Sequence, residues 1–252
     1  MEIQRYVSPD LTHFVGRGRK TLKDQYRVLR TILREGRLRA PISSKPEHEP
    51  YIREINRRKP YVLEIKPSES LSENKAYRGT VVCFCDIPIA DLGLHMLKYG
   101  RFGLAFSKRF ALERGASPVM YIPRSSRPAL LPWANYGRGR VSSHAVAFDE
   151  FWRYYQKLCQ AADDHSVPQA MSETIQRVSQ FLNVHVLSHL KFFDPFAAGW
   201  EKENFYMERE WRVSGNLRFH LRDVRRVIIP ESYGRRFRRD FPKYDGEILF
   251  SD

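Results

Sequence analysis

The sequence predicts an α+β fold, with a split sheet of antiparallel or mixed strands interrupted by a helical insertion. Three observations carry that prediction. Apolar strand-like runs fill the centre of the chain and return near its end. Between them, from Phe148 to Phe193, the apolar residues fall at helical spacing. Gly-x-Gly-x-x-Gly, a P-loop and internal repeats are all missing, which argues against a doubly wound dinucleotide-binding fold.

The elements follow in order. Gln4 to Val15 is an extended run broken at Ser8-Pro9-Asp10. Thr21 with Asp24 three residues later forms a variant capping box. Leu22, Tyr26, Leu29, Ile32 and Leu33 then share one helical face, and Gly36 ends the helix. The opposite face carries Lys20, Lys23, Arg27, Arg30 and Arg34, a solvated basic stripe by default. Residues 40–78 are rich in Pro, Ser, Glu and Lys and read as a flexible surface loop with a short helix around Tyr51 to Arg58. Thr80 to Phe84, Phe102 to Phe106 and Pro118 to Ile122 read as strands, with a short helix after Ser107. A mainly helical insertion spans about 145–195, with Phe151, Tyr154, Tyr155 and Leu158 on one face and Met171, Ile175, Val178 and Leu182 on another. Strands return at Arg209 to Val213, Val224 to Ile229 and Glu247 to Phe250. The whole, 1–252, reads as a single α+β domain, a size that one core can still serve.

Composition narrows the function classes. With 42% hydrophobic and 13% aromatic residues the chain has ample material for a core, so whole-chain disorder is excluded. No apolar run approaches the ~20 residues needed to span a bilayer, and the first residues lack a signal-peptide pattern. Three cysteines, Cys83, Cys85 and Cys159, cannot form a disulfide framework. These features predict a cytoplasmic protein without a membrane partner. Forty-three Lys and Arg against 29 Asp and Glu leave a formal charge of +14, spread over several stretches that suit anionic partners such as DNA or RNA.

Three constellations carry candidate chemistry. In Tyr206 to Val213, strand geometry would project Glu208 and Glu210 together, flanked by Arg209 and Arg212. Such a pair is either useful in a cleft or spent on arginine partners at a surface edge. His13, within Thr12-His13-Phe14, either hydrogen-bonds a ligand or satisfies a structural role. Cys83, Cys85 and His95 lack the spacing of common zinc modules, so no metal is expected. His95 and Tyr99, four apart, share a face on a helix. A metal-dependent nuclease would need carboxylates clustered with His95 or His13.

Taken together, Leu11 to Phe14, Val82 to Pro88, His95 to Gly100, Phe102 to Phe106 with Lys108, Pro118 to Ile122 and Tyr206 to Arg212 resemble the bacterial AbiGi family, named for abortive infection. That resemblance implies phage defence and a toxin or antitoxin partner protein. A more distant resemblance is to the ADP-ribosyltransferase superfamily, including DarT-like toxins. It rests on the early His13, the Ile32 to Leu38 helix end and the late Glu208-x-Glu210. It implies a split sheet of ADP-ribosyltransferase-like type, NAD as substrate and a nucleic-acid or protein acceptor. By that resemblance Glu210 matches the catalytic carboxylate, Glu208 the acceptor-activating one, and His13 the ribose-holding position. In that superfamily a middle motif position holds a Ser-Thr-Ser or a Tyr, for which Tyr99 is the candidate here, and Phe14 and Phe84 are further candidates for contacts with NAD. The alternative is a non-catalytic antitoxin or regulator using its basic surface. That alternative requires Glu208 and Glu210 to be spent on arginine pairs and His13 to lie far from them.

Overall fold

A computed structural model describes residues 8–41, 62–126, 143–197 and 205–251. The short helix expected around Tyr51 to Arg58 lies outside the described residues. The chain folds as two compact units. The first comprises Met1–Ala40, Val82–Pro118 and Glu208–Asp252, and the second Pro41–Val81 and Val119–Met207. Strands among the described residues are, in chain order, β1 (Asp10–Val15), β2 (Arg37–Leu38), β3 (Val62–Ile65), β4 (Tyr77–Gly79), β5 (Val81–Cys85) and β6 (Phe102–Ser107). They continue with β7 (Ser117–Pro118), β8 (Met120–Pro123), β9 (Leu190–Phe193), β10 (Glu210–Ser214), β11 (Leu217–Arg218), β12 (Val224–Ile229) and β13 (Glu247–Phe250).

The first unit is built on a seven-stranded sheet ordered β13-β12-β6-β1-β5-β10-β7. β1 runs antiparallel to both β5 and β6, β6 to β12, and β7 to β10, while β12 and β13 are parallel. The sheet is therefore mixed, and the α+β architecture is as the sequence predicts. Alternation along the strands sorts side chains between two faces. Leu11, Val15, Phe84, Leu104, Val213 and Val227 belong to the main core, which the Leu22–Glu35 helix covers with Tyr26, Leu29 and Leu33. Each such aliphatic side chain contributes about 1.5–3 kcal/mol on full burial. Cys85 and Ile228 belong to a smaller cluster on the other face, completed by Ile87 and Leu92 from the segment after β5 and touched by Phe14 and Met96.

Local sequence explains the helix that covers the main core. Thr21 is its N-cap, accepting from the Asp24 amide at 3.1 Å and donating its hydroxyl to the Asp24 carboxylate at 2.7 Å. Gly36 closes it at φ +58°, and a Cβ there would lie 2.5 Å from the Phe219 carbonyl oxygen.

In the second unit, Trp152, Tyr155, Leu187, Phe192, Val62 and Tyr77 form a separate core. The stretch that composition marks as irregular contains the antiparallel pair β3 and β4, because Val62, Ala76 and Tyr77 bury into that core. β8 and β9 pair in parallel. The predicted helical insertion is a hairpin of two helices, His144–Asp163 and Gln169–Phe181. Polar contacts stitch the hairpin internally. The Tyr155 and Ser179 hydroxyls lie 2.6 Å apart, and the Ser172 hydroxyl donates to the Ala162 carbonyl at 3.0 Å. No helix among the described residues is long and apolar enough to cross a membrane.

Candidate functional site

Glu208 and Glu210 do not sit on one strand. Phe205–Glu208 is a 3-10 turn, Arg209 takes a left-handed φ of +42°, and β10 begins only at Glu210. The left-handed residue interrupts the extended run that the sequence pattern predicts. Its carbonyl accepts from the Asp86 amide at 3.0 Å, which ties the bend to the end of β5. Both carboxylates are nonetheless buried, at 8% and 7% exposure.

Each of them has cations or donors in hand. Glu208 Oε1 accepts from Lys98 Nζ at 2.5 Å and from the Tyr99 hydroxyl. Glu210 takes Arg212 Nε at 2.9 Å on Oε1 and an Arg212 terminal nitrogen at 3.2 Å on Oε2. Glu210 and Arg212, two residues apart on β10, share the face opposite Trp211 and Val213. Paired charges of this kind satisfy the lone pairs that burial would otherwise leave stranded.

Around Glu208 the Gly93–Tyr99 helix gathers aromatic rings, with His95 and Tyr99 at 6.0 Å between centroids. Phe14 stacks near both, 6.3 Å from Tyr99 and 6.4 Å from His95. The Arg17 guanidinium lies 5.1 Å from the Tyr99 ring centroid. Burial, followed by the Glu208 charge, pushes the Tyr99 phenol well above its ordinary range. His95 is 8% exposed, and neither of its ring nitrogens has a hydrogen-bond partner among the described residues. Burial holds its imidazole below the usual histidine range, and Glu208 offsets part of that effect.

His13 faces the other way. It stands opposite Leu104 in the β1–β6 ladder, and its ring meets that of Phe84 at 5.7 Å. Its Nδ1 lies 2.7 Å from the Cys83 carbonyl oxygen, which can only accept, so Nδ1 carries the proton and donates. Burial lowers its pKa against the opposing effect of that bond. Phe84 is a core residue at 3% exposure. Of the six candidates, Phe14, Tyr99, Glu208 and Glu210 thus lie together, while His13 and Phe84 belong to the main-core face. Among the described residues no three of His, Cys, Asp and Glu gather as a metal cluster.

The structure also joins two basic stretches that are 200 residues apart in sequence. The Gly234–Asp240 helix packs beside the Leu22–Glu35 helix. Tyr26 lies 4.9 Å from Tyr233 and its hydroxyl donates to Asp240 at 2.8 Å. Arg30 reaches the same carboxylate at 3.9 Å, and Arg236 covers the Tyr26 ring at 4.9 Å. On the outer side, Lys20, Lys23, Arg34, Arg235 and Arg239 are exposed and have no acidic partner among the described residues. Sequence reading treats these as separate solvated runs. The signal it misses is Phe237, which pins Arg-Arg-Phe-Arg-Arg to the core and so turns the four arginines outward or sideways.

The family profile that matches, over residues 59–235, is described as abortive phage resistance protein AbiGi, antitoxin. A curated relative, the abortive phage resistance protein AbiGi of Lactococcus lactis subsp. cremoris, is 32% identical over 69 residues. Those residues are 25% of this chain, and the match spans 28% of the relative's length. No solved structure matches.

Proposed function

The chain belongs to the AbiGi family of abortive phage resistance proteins, and from that premise we propose that it works by binding, as an antitoxin-type protein. Its paired basic helices hold an anionic partner, either nucleic acid or the acidic face of a toxin. The observation that carries this reading is a set of five cations with no acidic partner among the described residues: Lys20 just before the Leu22–Glu35 helix, Lys23 and Arg34 on it, and Arg235 and Arg239 on the Gly234–Asp240 helix that touches it. Cations without carboxylates nearby are poised to exchange solvent counterions for phosphates or carboxylates of a partner. A second support is the state of the carboxylates. Glu208 and Glu210 are neutralised by Lys98 and Arg212, and His13 faces away from them.

Fluorescence anisotropy with labelled RNA, labelled DNA and polyglutamate, at low and moderate salt, tests the proposal. Binding of at least one probe should weaken with salt. The Lys23→Glu, Arg34→Glu, Arg239→Glu triple variant should lose about tenfold or more in affinity, with a shallower salt slope. Absence of binding at low salt, or a variant that binds like the wild type, would sink it.

NAD-dependent ADP-ribosyl transfer, on a sheet of ADP-ribosyltransferase-like type, is the second reading. Its specific support is that Tyr99, Glu208, Glu210 and Phe14 share one face of the sheet, with Arg17 beside them for a pyrophosphate. It draws no support from His13 or Phe84. Incubation with labelled NAD and with RNA, DNA or cell extract decides it, and neither label transfer nor nicotinamide release is expected from a pure binding protein.

A further inference from the structure

The hairpin of the second unit also presents an exposed apolar face. Its two helices bury Trp152, Tyr155, Cys159 and Ala162 on one side and Ser172, Ile175 and Ser179 on the other, and these buried edges face each other. About a quarter-turn away on the first helix, Phe151, Tyr154 and Leu158 form a second stripe at i, i+3, i+7. On the second helix Met171, Val178 and Phe181 lie at the same angular offset. In an antiparallel pair whose buried edges meet, equal offsets bring both stripes to the same side. All six side chains are exposed, Tyr154 at 61% and Phe181 at 59%. No Asp, Glu, Lys or Arg falls within either stripe, in a chain that is 29% charged.

We infer that this face is the contact for a second copy of the chain, two hairpins stacking about a two-fold axis into a four-helix bundle. Charge at the rim selects that occupant. Glu150 and Lys157 flank the first stripe four residues before and three after Tyr154. Antiparallel stacking of two first helices about the midpoint between Arg153 and Tyr154 sets Glu150 against the partner's Lys157, and Lys157 against the partner's Glu150. A surface that carries both signs at matched distances from its midpoint complements itself. The alternative meeting of two copies, through the basic helices of the first unit, would bring like charges together. Residues 144–181 hold three basic and five acidic residues, so this is where a chain of charge +14 can approach its copy without repulsion.

Sedimentation velocity on the full chain over a range of micromolar concentrations tests the inference. The wild type should sediment as a dimer. Leu158→Glu combined with Val178→Glu should sediment as a monomer with unchanged far-UV circular dichroism, and the exposed Tyr154→Lys should do the same. Glu150→Lys and Lys157→Glu should each raise the dissociation constant about two- to fivefold, and together they should restore it. A wild type that stays monomeric, a dimer that survives Leu158→Glu with Val178→Glu and Tyr154→Lys, assemblies growing beyond two copies, or a charge exchange without restoration would each overturn it.

Discussion

Glu210 shows how burial assigns a residue its work. At 7% exposure, with both oxygens on Arg212, it holds a guanidinium that is itself mostly enclosed. Glu210→Gln leaves that guanidinium without its counter-charge, and urea unfolding should register a loss of about 3 kcal/mol or more. The same variant in an NAD assay is therefore interpretable only alongside its folded fraction. His13 and His95 make a second, pH-dependent prediction. Burial lowers both folded-state pKa values below the ordinary 6.5, so the unfolded chain takes up protons more readily. The stability these imidazoles leave intact is fully present above that ordinary value and is lost as pH falls from it towards the lowered folded values. The urea midpoint should drop between neutral pH and about pH 5, and His95→Leu should drop less, since one of the two titrating groups is gone. An equal drop in the variant would remove His95 from the account.

Elements were legible in the sequence where one local signal sufficed. The Leu22–Glu35 helix follows from its cap, its apolar spacing and its glycine stop, and it forms over those residues. Gly36→Ala should cost more than about 1 kcal/mol, because the αL backbone and the 2.5 Å approach to the Phe219 carbonyl oxygen act together. Thr21→Ala should cost about 1 kcal/mol through the lost cap. A thermal melt of each variant checks both. β3 and β4 were not legible, since short strands in polar, proline-rich sequence are decided by what they pack on, here Trp152 and Phe192, over 70 residues away. The candidate site was legible in composition but not in geometry. Tyr99 and Glu208 could be named from sequence, yet their hydrogen bond depends on the bend at Arg209, and a non-glycine left-handed residue leaves no periodic trace. Alternation did separate His13 from Phe14, but assigning each to a face required the ladder partners Leu104 and Gly103.

On the scale of the whole molecule, the chain passes between its two units four times, after residues 40, 81, 118 and 207. Neither unit is a continuous segment, so each depends on chain that is distant in sequence. That arrangement also pairs Lys23 and Arg34 with Arg235 and Arg239, which lie at opposite ends of the sequence within one unit. A separate consequence concerns β1, which lies between β6 and β5 in the middle of the sheet yet precedes the matched stretch 59–235. An expression fragment trimmed to that homology would lose this middle strand, the β13 edge and the Tyr26 and Leu29 side chains from the core. Three strands, β5, β6 and β12, would then present unpaired N–H and C=O groups to solvent, a template for intermolecular pairing. Such a trimmed gene product should go to inclusion bodies, where the uncut chain stays in the supernatant.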